Sequence, residues 1–149
     1  SFSFEQQVVR NDIRKFIQSD DGEGILRSIE TIRENGWTHC LSENLADAIN
    51  FFCDKNDLET AEKLVDCHSS NCQFDSLDKW KVLKYIRLLL DHDRMDDALK
   101  FLDAQPALRD REKACLERLV DRVLSSANRT GNREKIGMLR EMLKTKKFL

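Results

Sequence analysis

Residues 45–66 read LADAINFFCDKNDLETAEKLVD, and this stretch decides the fold. Leu45, Ala48, Ile49, Phe52 and Cys53 recur at the spacing that places them on one face of a helix. The polar turn Lys55-Asn56-Asp57 interrupts them, and a second apolar stripe opens at Ala61 and runs through Leu64 and Val65. Strand signals are nearly absent from the chain, with no alternating Val/Ile/Thr run. The unit is a helix–turn–helix.

The same shape occurs three more times. Ile25, Ala61, Ala98 and Ile136 each follow a polar turn and open an apolar stripe, at intervals of 36, 37 and 38 residues. Upstream stripes precede them: Val9, Ile13, Phe16 and Ile17, then Val82, Tyr85, Ile86 and Leu89, then Val120, Val123, Leu124 and Ala127. The turns are Asp20-Asp21-Gly22, Lys55-Asn56-Asp57, His92-Asp93-Arg94 and Thr130-Gly131-Asn132. Asn56 is expected to cap the helix carrying Glu59, and Asp93 the helix carrying Asp96. Pro106 is expected near the start of the fourth repeat's first helix, and the stretch from Cys72 to Trp80 to be a longer inter-repeat loop. A lone hairpin cannot bury its apolar stripe, so neighbours must stack. The expected fold is all-α: a right-handed α-solenoid of four helix–turn–helix repeats, near 5–36, 42–70, 78–104 and 107–147, forming one domain over 1–149.

Composition bounds the function. The 149 residues are 40% hydrophobic and 35% charged with five Gly and one Pro, which excludes a disordered or collagenous chain. The longest purely apolar run is Leu88-Leu89-Leu90, far short of the roughly 20 residues of a membrane span, so no membrane partner is expected. A chain that opens on Ser1 is expected to be part of a longer protein. The formal charge of −2 hides a split: residues 1–108 carry 13 Lys/Arg against 21 Asp/Glu, and residues 109–149 carry 12 against 6. The five cysteines fit no secreted disulfide framework, and reduced thiols are expected. Cys67-His68 with Cys72, and Asp91-His92-Asp93, are the nearest approach to a metal site. The first has no second ligand pair and the second falls in a turn, so no metal and no cofactor are expected. Gly22-Glu23-Gly24 lacks the Lys-Ser/Thr of a phosphate loop, and His39, His68 and His92 have no nucleophile elbow beside them. The expected protein is not an enzyme.

Leu45–Asp66, Val82–Leu102 (VLKYIRLLLDHDRMDDALKFL) and Val120–Leu143 resemble the pentatricopeptide repeat, with Ala61 as the small residue opening its second helix. The period exceeds the 34 residues of the related tetratricopeptide repeat, whose Trp, Gly and Tyr signature is missing. The stretch from Leu45 to Leu143, with its joint at 105–114, is similar to mitochondrial members of the family. That resemblance implies a matrix protein that binds and stabilises mRNA, with a small RNA-recognition-motif protein as partner. It also implies one base read per repeat, by a residue near the fifth position of the first helix. Counting fourteen back from the four openings gives Asn11, Asp47, Lys84 and Arg122. Asn11 is a usual base reader, whereas the other three depart from the family's Asn, Thr or Ser.

Independently of any code, cations aligned along a groove bind single-stranded RNA through its phosphates. Lys81, Lys84 and Arg87 share one helix, and Arg118 and Arg122 lie four apart on the next first helix. With Asn11 they form the expected RNA-binding set. Arg129, Arg133, Arg140, Lys144, Lys146 and Lys147 extend the basic end, with Asp91, Glu117, Asp121 and Glu141 available to neutralise these charges. Trp37 and Trp80 are each able to stack a base or anchor a partner but are expected to pack between repeats, Phe52 to join the core and Phe51 to be exposed. The acidic first half suits a basic protein partner. The alternative function is therefore a protein-interaction solenoid without RNA affinity.

Overall fold

The computed structural model describes residues 3–72, 75–109, 112–129 and 132–149. Among them are eight helices and no strand: α1 (Phe4–Gln18), α2 (Gly22–Glu34), α3 (Thr38–Asp54), α4 (Leu58–Asn71), α5 (Lys79–Asp91), α6 (Met95–Asp103), α7 (Lys113–Arg129) and α8 (Arg133–Thr145). No helix of the described residues is long and apolar enough to cross a membrane.

The second helices start at Gly22, Leu58, Met95 and Arg133, so Ile25, Ala61, Ala98 and Ile136 are each the fourth residue of their helix. The first three are fully buried and Ile136 is half-buried. The joint within each described hairpin is one repeated piece of backbone. Asp20, Asn56 and Asp93 adopt left-handed φ values of 60°, 58° and 59°. The amide after each reaches back to the carbonyl five residues earlier: Asp21 to Phe16 at 2.8 Å, Asp57 to Phe52 at 3.0 Å, Arg94 to Leu89 at 2.8 Å. This is a Schellman ending, in which a left-handed residue satisfies the last carbonyls of one helix while the chain turns into the next. Thr130 and Gly131 of the fourth turn lie outside the described residues.

This geometry corrects the expected caps. Asn56 and Asp93 are the left-handed residues, and the cap falls one position later. Asp57 Oδ1 accepts from the Thr60 amide at 3.1 Å, whereas Arg94 makes no side-chain cap bond. Asn and Asp are favoured both at left-handed positions and at N-caps, so residue type alone cannot separate the two roles. Pro106 lies between the hairpins, in the segment between α6 and α7, but seven residues before Lys113 and so farther from the start of α7 than expected.

Contacts group the chain into two compact units, Ser1–Leu77 and Asp78–Leu149. In the first, α1 packs on α2 and α3, α2 also packs on α3, and α3 pairs with α4. Ile13, Ile25, Ile32, Leu45 and Ile49 are its largest fully buried side chains. Phe51 is buried, contrary to expectation, and meets Phe52 edge to face with ring centroids 5.0 Å apart. The start of α2 explains why: a Cβ on Gly22 would sit 3.2 Å from the Phe52 ring, and one on Gly24 would sit 2.6 Å from Phe16 Cδ1. The glycines that make the first repeat look irregular are what lets two phenylalanine-bearing helices approach α2.

In the second unit α5 packs on α6 and α7, while α8 packs on α6 and α7. Leu83, Ile86, Leu89, Leu102, Leu116 and Leu139 fill the interior. The segment between α6 and α7 is tied down by two lysines. Lys79, only 8% exposed, donates from Nζ to the Pro106 carbonyl at 3.0 Å. Lys146 Nζ donates to the carbonyl of Asp103, the last residue of α6, at 2.8 Å. A cation at a helix C-terminus also complements the negative end of its dipole.

Candidate nucleic-acid interface

Five of the six expected RNA-binding residues lie in the second unit, on α5 and α7, which pack directly on each other. Asn11 lies on α1, in the other unit, where it is exposed. Met95 and Arg133, which start the paired second helices, are 38 residues apart. Counted from those starts, Lys84 and Arg122 hold equivalent positions in the two repeats, as do Trp80 and Arg118.

The buried stripe of α7 (Leu116, Leu119, Val120, Val123 and Ala127) leaves Arg118 and Arg122 on the exposed face. Neither pairs with a carboxylate of the described residues. On α5, Lys84 is half-buried beside the core positions Leu83, Tyr85 and Ile86. Lys81 and Arg87 on the same helix sit close to carboxylates. Lys81 Nζ lies 2.8 Å from Oδ2 of Asp78, the residue that also caps α5 by accepting from the Lys81 amide. Arg87 Nε lies 3.7 Å from Asp91 Oδ2, and that Nε is buried without a hydrogen bond. Both cations are half-buried, and pairs this close to solvent are worth on the order of 1 kcal/mol or less.

Trp80 was expected in a packed interface, yet it is 49% exposed, one turn before Lys84. An exposed indole beside aligned cations is the arrangement on which an unpaired base can stack. Its position as the second residue of α5, outside the stripe of Val82, Tyr85, Ile86 and Leu89, carried that signal in the sequence. Along the basic end, Lys144 pairs with Glu141 at 3.4 Å and Lys146 is occupied by Asp103, while Arg129, Arg133, Arg140 and Lys147 are exposed. Lys79 went unread as a structural residue. Burial holds its ammonium below the usual lysine range, with Glu112 opposing that shift and Lys146 adding to it.

In the first unit, His68 is buried and its Nε2 meets Ser42 Oγ at 3.0 Å. Burial pushes its pKa down, partly offset by the charge of Asp75. Among the described residues no three His, Cys, Asp or Glu side chains are gathered to hold a metal ion. No protein-family model, no curated protein and no solved structure matches the chain.

Proposed function

We propose that the chain is an RNA-binding helical-repeat module: a right-handed α-solenoid of four pentatricopeptide-like repeats that holds single-stranded mRNA along the α5–α7 face. The observation that carries this reading is the occurrence of Trp80, Lys84, Arg118 and Arg122 on two first helices in contact, with Trp80 and both arginines exposed and the arginines uncommitted to carboxylates of the described residues. The repeated left-handed hairpin joint supports a common repeat unit. The family resemblance adds the rest of the proposal: a mitochondrial protein that stabilises mRNA and works with a small RNA-recognition-motif protein. Contact runs chiefly through phosphates, because Asp47, Lys84 and Arg122 stand where the family places base readers of other types.

A second reading, a protein-interaction solenoid, is favoured by one observation. Residues 1–77 carry 7 Lys/Arg against 15 Asp/Glu, a net of −8, whereas residues 78–149 carry 18 against 12, a net of +6. Fluorescence anisotropy of a labelled single-stranded RNA pool at low and moderate salt separates the two. The RNA reading expects binding that weakens steeply with salt and is lost in Lys84→Glu/Arg122→Glu. Absence of binding at low salt would leave the protein-interaction reading in place.

A further inference from the structure

The first unit holds a cleft of about 270 Å³ where three helices end, between the C-termini of α2 and α4 and the N-terminus of α3. Its lining includes Glu30, Glu34, Trp37, Thr38 and Asn71 over an apolar base of Ile32 and Leu41. Trp37 is the unexpected member. It occupies the N-cap of α3 and makes no side-chain cap bond. Elsewhere in the chain Ser3, Asp21, Asp57, Asp78 and Asn132 cap their helices with a side-chain oxygen, as physical chemistry prefers. Trp37 shares the lack of a side-chain cap with Arg94 at the start of α6, and forgoing that bond costs about 1 kcal/mol of helix stability.

The backbone of Trp37 is fixed at both of its polar groups. The Trp37 amide donates to the Ile32 carbonyl at 3.1 Å, and its carbonyl accepts from the Cys40 amide and thiol, both at 3.3 Å. Gly36, left-handed at φ 66°, also lines the cleft and has nothing within 4 Å of a would-be Cβ. The polar groups around it are two carboxylates, Glu30 and Glu34, one guanidinium, Arg33, and the neutral side chains of Thr38 and Asn71. Glu34 is exposed and pairs with no cation of the described residues. Arg33, the cation on the rim, is engaged with Glu30 at 3.4 Å. Asn71 spends its amide nitrogen on the Cys67 carbonyl at 2.8 Å, which leaves its oxygen as an acceptor. Two helix C-termini bring negative dipole ends to the cleft against one positive end from α3. The unit around it carries a net −8.

An aromatic face, a carboxylate and neutral acceptors around a small cleft suit a planar cation with several donors. A guanidinium meets that description better than an ammonium, because it stacks on the ring and still donates in its own plane. We propose that this cleft docks an arginine side chain of a basic protein segment, with Trp37 as the stacking surface and Glu34 as the counter-ion. The acidic unit around it attracts such a segment and speeds its encounter. The inference does not rest on RNA binding by α5 and α7, and failure of that reading leaves it standing.

The test uses fluorescein-labelled acetyl-Arg-Arg-Arg-amide, with the tri-lysine peptide and a labelled single-stranded RNA as comparisons, titrated with the whole chain at low salt. Tri-arginine is expected to bind more tightly than tri-lysine, Trp37→Phe to weaken it by about threefold, a part of the cation–π contact, and Glu34→Gln by about two- to fivefold, the range of an exposed ion pair. Glu34 is exposed, so its variant reports on the cleft even if a change at Trp37 disturbs folding. Equal binding of the two peptides would reduce the attraction to diffuse charge and overturn the proposal. Unchanged tri-arginine affinity in Glu34→Gln would overturn it as well. A loss of RNA affinity in Trp37→Phe would reassign the cleft to a base.

Discussion

At the scale of single residues, the glycines of the two units make opposite predictions from one composition. Gly24 lies in the first turn of α2 against Phe16, where a methyl group has no room. Gly24→Ala is expected to lower stability by about 1–3 kcal/mol, because the overlap outweighs the gain in helix propensity. Gly137 sits inside α8 with nothing within 4 Å of an added Cβ. There the same change is expected to raise stability by about 0.5–1 kcal/mol, chiefly by restricting the unfolded chain. Urea denaturation of both variants checks the pair, and a stabilised Gly24→Ala would mean that Phe16 does not press on α2. Neither outcome is legible in the sequence, since both glycines stand in helical patterns and only the neighbour across the interface distinguishes them. Phe51 illustrates the same limit. Its angle on the helical wheel suggests exposure, but α2 approaches so closely through Gly22 that the ring is covered.

At the scale of elements, the hairpin joint was legible in its spacing and misread in its register. The interval of 36–38 residues is visible because each second helix buries or half-buries its fourth residue, a constraint that acts on Ile25, Ala61, Ala98 and Ile136 alike. The cap and the left-handed residue before it draw on one small alphabet, so the backbone must decide between them. The structure then separates two substitutions that look equivalent on paper. Asp93→Gly, at φ 59°, is expected to cost nothing and to add up to about 1 kcal/mol. Asp57→Ala, which removes the oxygen bonded to the Thr60 amide, is expected to cost about 1 kcal/mol. Thermal denaturation of the two variants reads the register directly. The α3–α4 hairpin also carries a pH dependence. His68 on α4 is buried against Ser42 on α3, and its pKa is depressed, so the folded state binds a proton less readily than the unfolded one. Its contribution is complete when the imidazole is neutral in both states and is lost as pH falls below the usual histidine value of about 6.5. Melting temperatures measured between pH 7.5 and 5 should drop more steeply for the wild type than for His68→Gln. Parallel curves would place the acid sensitivity elsewhere.

At the scale of the whole molecule, a net charge of −2 predicts no affinity for a polyanion, and only the distribution of charge does. The sequence located the basic end at 109–149, but it could not separate cations that hold the fold from cations that face outward. Lys79 and Lys146 spend their ammonium groups on carbonyls of the α6–α7 segment, and Lys81, Arg87 and Lys144 have carboxylates at hand. Arg118 and Arg122 have none among the described residues, and so they carry the sharpest prediction. Each phosphate neutralised on single-stranded RNA adds about 0.7 to the slope of log affinity against log salt. Arg118→Gln/Arg122→Gln should therefore lower that slope by about 1.4, whatever the RNA sequence. A paired neutralisation of Glu59 and Lys63, which face each other at 3.4 Å on α4, should leave the slope where it was. The measurement is anisotropy across a salt series, and its slope distinguishes contact from general attraction. If both double variants shift the slope alike, the phosphates follow the field of the chain and not the α5–α7 face. If the arginine pair alone shifts it, Trp80 becomes the next residue to change, since stacking adds affinity without adding slope.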